Sequence, residues 1–237
     1  MNKQIRKLLI MLLLVMGAML ICDNEVQAAS KAKYSYQKVD KSRTYDNGRI
    51  KAKLYYKKAV LKGNSKVIKK INSAINKDCT KFLKSETAKM LFEYAQAAED
   101  NDYYADDNNV EFFYYANSKV TYNGKGVISV KITTKWFAGG VGNIDVYGLT
   151  YSLKTGKRLR LTDVCNGSAS QIKDRVVDKI WEDSDASYAY WDTIYNYKVK
   201  KMDFYLKPNN KAMVCFGPYE INSGGSYRQY KIKSKYK

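Results

Sequence analysis

Between Arg49 and Tyr56 every second side chain is apolar. Ile50, Ala52, Leu54 and Tyr56 share one face, and Arg49, Lys51, Lys53 and Tyr55 share the other. A period of two with one apolar face predicts a half-buried strand, here with a cationic stripe outside. The period then lengthens. Gly63-Asn64-Ser65 opens a helix with Asn64 or Ser65 as its cap. Ile68, Ile71, Ile75, Cys79 and Phe82 follow at spacings of three and four, which gathers them on one side. Leu91, Phe92 and Ala95 carry the helical pattern on to about Ala98. After an acidic loop, 99–109, the period returns to two. Strands are predicted over 110–115, 119–122, 127–137, 144–153 and 158–161, with turns at Asn123-Gly124 and at Lys154 to Lys157. Ser168 or Ser170 caps a second helix carrying Ile172, Val176 and Ile180. A hairpin, 202–207 and 211–216, turns at Pro208-Asn209-Asn210, and 229–233 is a last strand. Two helices among roughly eight strands predict an α+β fold with a mostly antiparallel sheet. One long helix falls in the N-terminal half and a shorter one later.

Ahead of this region, Lys3, Arg6 and Lys7 precede an apolar run from Leu8 to Ile21, which exits through Val26-Gln27-Ala28-Ala29. The run is shorter than the roughly 20 residues that span a bilayer as a helix. Residues 1–28 therefore read as a secretory signal cut after Ala28, placing the protein outside the cell or on the outer side of its envelope. An uncleaved signal, with retention on the membrane, is the alternative. Cys22 raises lipidation, against which the bulky Ile21 argues. Charge narrows the partners. The chain holds 42 Lys and Arg against 23 Asp and Glu, a net charge of +19. Residues 29–90 hold 18 cations against 4 anions, 91–120 hold 1 against 7, and 121–237 hold 20 against 10. A positive field draws in polyanions, which outside a cell means wall polymers, acidic headgroups or acidic glycans rather than nucleic acid. Lysines that merely solvate outer faces are the plain alternative. Cys79, Cys165 and Cys215 survive signal cleavage, and an odd number leaves a thiol unpaired. Three buried thiols are the favoured reading, and Cys165–Cys215 is the pairing to look for.

The chain has no histidine. That removes the usual Ser-His-Asp and Cys-His nucleophile systems and most catalytic zinc sites. No phosphate-cradling or dinucleotide glycine motif is present, and no cofactor is expected. Acid–base chemistry would fall to Asp163, Glu182, Asp183, Asp185 or Glu220, a pair of which could hydrolyse a glycoside. Acids at helix ends and turns more simply cap or solvate. Asp100, Asp102, Asp106, Asn108 and Glu111 match positions of a calcium loop, but Tyr104 and Ala105 stand where an oxygen ligand and a glycine are needed. A solvated acidic loop is the better reading, with no metal. The 22 tyrosines, with Trp136, Trp181 and Trp191, suit carbohydrate stacking and are densest from Ser187 to Tyr197. Tyrosine is also a favoured strand residue, so packing competes with that role.

An ordered set of segments carries a resemblance. Gly126-Val127-Ile128-Ser129-Val130 is followed by Phe137-Ala138-Gly139-Gly140, then by Tyr151-Ser152-Leu153-Lys154-Thr155-Gly156-Lys157 with Leu159, Leu161, Thr162 and Asp163. Phe216-Gly217-Pro218-Tyr219-Glu220-Ile221 closes the set. It resembles the extracellular domain of RsiV-type anti-sigma factors and PdaC-type deacetylases. Ile71-Asn72-Ser73-Ala74-Ile75 is similar to the partner domain that usually precedes it. The resemblance implies an α+β domain displayed at the bacterial surface, where RsiV binds lysozyme. It divides the chain into a signal (1–28), a strand-helix subdomain (29–115) and an RsiV-like subdomain (116–237). Where the family commonly has a histidine, Val141-Gly142-Asn143 stands, and Asn222-Ser223-Gly224 replaces its usual Ala-Pro-Tyr. The expectation is a non-catalytic binding domain for an anionic or glycan wall component. Alternatives are a protein-binding sensor or inhibitor of a wall hydrolase such as lysozyme, and a carboxylate-dependent glycan enzyme. Trp136, Gly139, Gly140, Pro218, Tyr219, Tyr190 and Trp191 are the candidate ligand-binding residues, with no catalytic or metal residue assigned.

Overall fold

The computed structural model describes residues 31–45, 48–101, 109–140 and 142–237. The expected signal with Cys22, and residues 102–108 of the acidic loop, lie outside them. Among the described residues no helix is long and apolar enough to cross a membrane.

Two strands the hydrophobic pattern did not reveal, β1 (Tyr34–Asp40) and β2 (Arg43–Tyr45), lie end to end along β3 (Ile50–Leu61). They form a sheet edge almost wholly exposed to solvent, so no alternation marks them. The gap between them is bridged locally. Lys41 N–H donates to the Leu54 carbonyl at 2.7 Å, and the Ser42 hydroxyl accepts from Leu54 N–H at 3.2 Å. Strand β3 buries Ile50, Ala52, Leu54 and Tyr56, as its alternation predicts.

Ser65 is the cap of α1 (Lys66–Leu83), accepting from Ile68 N–H. The longer helical pattern is two helices, because Ser85 caps a new one, α2 (Glu86–Asp100), by accepting from Ala88 N–H. Ile71, Ile75, Cys79 and Phe82 of α1, with Ala88, Leu91, Ala95 and Ala98 of α2, cover one face of the sheet. This two-helix crossover brings the chain back parallel to β3 as β4 (Val110–Gly124).

The segments expected as separate strands, 110–115 and 119–122, are this one strand. The expected subdomain boundary at 115/116 falls inside it. Lys125 and Gly126, both with positive φ, turn β4 into β5 (Val127–Phe137), and β6 (Gly142–Ser152) completes the order β1-β3-β4-β5-β6. A bulge near Thr121 sets Val120 opposite Val130 but Tyr122 opposite Ser129. Tyr122 is thereby turned to the far side of the sheet, into a second core.

That core lies between α4 (Ala169–Trp181) and a small antiparallel sheet of β7 (Asp203–Lys207), β8 (Lys211–Phe216) and β9 (Arg228–Lys233). Short helices α3 (Leu161–Val164) and α5 (Trp191–Asn196) complete this unit. The strand expected over 158–161 does not form. Arg158 makes one bridge to Tyr151, and Asp163 caps α3 by accepting from Arg160 N–H at 2.7 Å. No Cys165–Cys215 bond forms either: Cys79, Cys165 and Cys215 are free and buried. Burial pushes the Cys165 thiol up to about 11 and that of Cys215 up to about 12.

The small sheet packs across the outer face of β5 and β6. A Cβ on Gly148 would meet the Phe204 carbonyl oxygen at 1.8 Å, so the backbones of β6 and β7 touch. Leu206 N–H donates to Ser129 Oγ at 2.8 Å, and Ser129 in turn bonds Thr150 at 2.7 Å.

Candidate functional site

The small sheet covers only one end of the large sheet's outer face. The rest, on β1, β3, β4 and the far half of β5, carries half-buried or exposed side chains. Odd-numbered positions of β3, β4 and β5, and even-numbered ones of β1, interleave lysines with rings. Tyr55 and Tyr115, cross-strand partners on β3 and β4, stack with centroids 5.0 Å apart and planes at 1°. Phe113 stacks on Phe137 of β5 at 5.6 Å and tilts against Tyr115 at 5.5 Å. Ammonium groups lie over these rings: Lys38 over Tyr55 at 4.3 Å, Lys57 over Tyr36 at 5.1 Å and Lys135 over Phe113 at 5.3 Å. Such placement is favourable because the ring face is the negative pole of its quadrupole. Lys53 pairs with Glu111, and Lys38 with Asp40. At the margin, burial and the neighbouring Lys207 and Lys119 lower the affinity of Lys131 for its proton.

This face leads into a cleft of about 530 Å³ lined by Phe113, Lys135, Trp136, Phe137, Ile144 and Tyr227 among others. Here two of the regions singled out in the sequence meet: the end of the β5–β6 hairpin and the loop after Pro218, through Gly225 to Tyr227. Trp136 lines both this cleft and a small apolar depression with Met90 and Tyr94 of α2. Gly139 and Gly140 are exposed, and their positive φ values make the hairpin turn. Pro218 and Tyr219 belong to the loop but do not line the cleft; Tyr219 has φ 61° and is 61% exposed.

Tyr190 and Trp191 lie apart from this cleft. Tyr190 N–H donates to Ile221 O, while Trp191 stacks on Trp181 at 4.0 Å. Trp191 also tilts against Tyr195 at 5.7 Å, so Trp181, Trp191 and Tyr195 form a second aromatic patch, in which Trp181 is 56% exposed. Two basic grooves flank the helices, one of about 730 Å³ beside α1 with Lys41, Arg43, Lys58 and Lys84. The other, about 780 Å³, lies between α4 and the small sheet with Arg175, Lys211, Lys231 and Lys233. Neither combines cations with a plane of rings.

Each of the five acids named for acid–base chemistry has a local partner, Asp163 through its cap on Arg160 N–H. Glu182 pairs with Lys179, Asp183 accepts from Tyr230, and Asp185 pairs with Arg228. Glu220 accepts from Gly217 N–H and from the Tyr197 hydroxyl. The acids that do gather were missed: Asp78, Asp145 and Asp203 line a cleft of about 330 Å³ with Lys81, Arg158 and Tyr147. The Tyr56 and Tyr147 hydroxyls both donate to Asp78, at 2.7 and 2.8 Å. Arg158 pairs with Asp203 at 2.9 Å. Burial raises both Asp145 and Asp203, and their repulsion with Glu220 adds to it. These residues come from α1, β6 and β7, far apart in sequence, so no spacing announced them. Among the described residues no three His, Cys, Asp or Glu side chains converge as a metal site would require.

No family model matches the chain, and no curated protein matches it in sequence. The fold is shared with a member of the DUF3298 family from Bacteroides fragilis. That crystal structure matches 86% of this chain and 91% of its own, with TM-score 0.60 and 16% identity. A DUF3298 family protein from Pseudomonas aeruginosa PAO1 matches 87% of this chain and 92% of its own, with TM-score 0.48 and 14% identity. At 16% identity the likeness to the Bacteroides fragilis protein is one of fold.

Proposed function

We propose that this chain is an exported or envelope-associated, non-catalytic binding domain whose open sheet face engages an anionic or glycan component of the cell wall. One observation carries the reading: lysines and stacked rings, half-buried to exposed, occupy one plane over the part of the large sheet that the small sheet leaves uncovered. Charges held at a surface attract a polyanion over a screening length of about 8–10 Å at ordinary ionic strength. The resemblance to the extracellular domain of RsiV-type proteins and the apolar N-terminal run agree with a surface location. Retention on purified bacterial walls is expected, falling steeply as salt rises. Absent or salt-insensitive retention overturns the proposal.

The exposed patch of Trp181, Trp191 and Tyr195 favours a second reading, capture of an extracellular protein such as a wall hydrolase. Exposed Trp and Tyr clusters are the usual anchors of protein interfaces. That reading requires a stoichiometric complex in a pull-down, lost in a Trp181→Ala, Trp191→Ala double variant. A glycan-cleaving role would instead draw on Asp145 and Asp203. It requires turnover of wall fragments that Asp145→Asn abolishes, whereas Asp163→Ala leaves catalysis intact.

A further inference from the structure

We propose that the open face takes a linear phosphodiester polymer, its phosphates joined by a short polyol, laid along β3. The inference rests on the wall-binding reading and narrows it to one polymer chemistry.

Within β1, β3, β4 and β5 the cations are all lysines, and Arg49 adds one guanidinium where the stripe of β3 begins. Arginine's planar fork would fix a carboxylate or a phosphate in one bidentate geometry, whereas the lysine ammonium is a compact point charge that meets either without demanding an orientation. Spacing narrows the choice. Lys51, Lys53 and Lys57 point to one side of β3, two and four residues apart, with Tyr55 between the last two. Two extended residues, six backbone bonds, advance about 6.6–7.2 Å. A glycerol phosphate repeat also contains six backbone bonds, so its phosphates fall in step with every second residue of the strand.

Single-stranded nucleic acid has the same number of bonds between phosphates, and the rings decide against it. A base or a sugar stacks on an open ring face, as aromatic platforms for single strands provide. Here Tyr36, Tyr55 and Phe113 each carry an ammonium over the face, and Tyr55 is stacked on Tyr115. The rings instead hold the heads of Lys38, Lys57 and Lys135 in place, which reduces the side-chain entropy lost when a phosphate binds.

The test compares walls before and after hydrofluoric acid, which cleaves phosphodiesters and leaves the peptidoglycan. Binding of soluble poly(glycerol phosphate), polygalacturonate and a single-stranded oligonucleotide of equal charge is measured alongside. Retention should disappear after acid treatment, and poly(glycerol phosphate) should bind tightest. Lys57→Gln with Lys135→Gln should weaken that binding about tenfold. Lys231→Gln with Lys233→Gln, an equal charge loss in the groove beside α4, should change it less than about twofold. Unchanged retention on acid-treated walls overturns the polymer assignment and leaves the wall reading standing. No retention on untreated walls overturns the wall reading, and binding of the soluble polymer then decides the assignment by itself. Tighter binding of the oligonucleotide or polygalacturonate, or equal losses in the two double variants, also overturns it.

Discussion

Ser129 is a fastening point between the two sheets. It is fully buried, its oxygen accepts from Leu206 N–H, and it shares a hydrogen bond with Thr150. Ser129→Ala would strand a buried backbone donor, so a loss of about 1–3 kcal/mol is expected in denaturant unfolding. Val, which fills the space but restores no acceptor, should do no better. Asp145 shows the opposite sign. Burial raises its carboxyl above the ordinary 3.8, against the pull of Val146 N–H, and Glu220 raises it further. An acid held above its unfolded value opposes folding wherever it is ionised. Stability from this group therefore rises as pH falls through the raised value, and the rise is complete below 3.8. Asp145→Asn should be more stable than the parent at pH 7, with the difference shrinking towards pH 4. Thermal unfolding across that range reads it directly, and a constant difference would show that Asp145 is not the source.

At the scale of elements, the contact between β6 and β7 depends on a missing side chain. Gly148→Ala would set a methyl within 1.8 Å of the Phe204 carbonyl oxygen, and backbone cannot swing aside as a flexible side chain can. The sheets must separate, so a loss of about 3 kcal/mol is expected, at the upper end for overpacking. Unfolding by urea should show it, and a loss below about 1 kcal/mol would mean that the two sheets slide freely. The helices follow simpler rules. Ser65, Ser85 and Ser168 each accept an amide of the first turn, and this cap is why one long helical pattern breaks at Lys84. Ser85→Ala should cost about 1 kcal/mol. The bulge at Thr121 has no local counterpart. Its effect, moving Tyr122 from one core to the other, appears only when β4 is paired with β5.

For the whole molecule, a layer of two helices, a six-stranded sheet and a partial second sheet leave one broad face uncovered, and the charge of the chain gives that face its chemistry. Alternation and helical spacing by themselves determined the buried side of β3 and of α1, the last hairpin and the cationic stripe, because each depends on neighbours a few residues away. The absence of histidine is likewise legible in the sequence alone, and it excludes the usual Ser-His-Asp and Cys-His nucleophile systems. The edge strands β1 and β2 gave no such signal, since a strand without a buried face has no period to detect. Of the candidate site, Trp136 and the loop after Pro218 were legible as turns and aromatics, but their meeting in one cleft was not. The stacking of Tyr55 on Tyr115 and of Phe113 on Phe137, and the gathering of Asp78, Asp145 and Asp203, were decided only by tertiary structure. Strand register and the crossing of two sheets join residues tens of positions apart, and a one-dimensional pattern records which way a side chain faces but not what faces it.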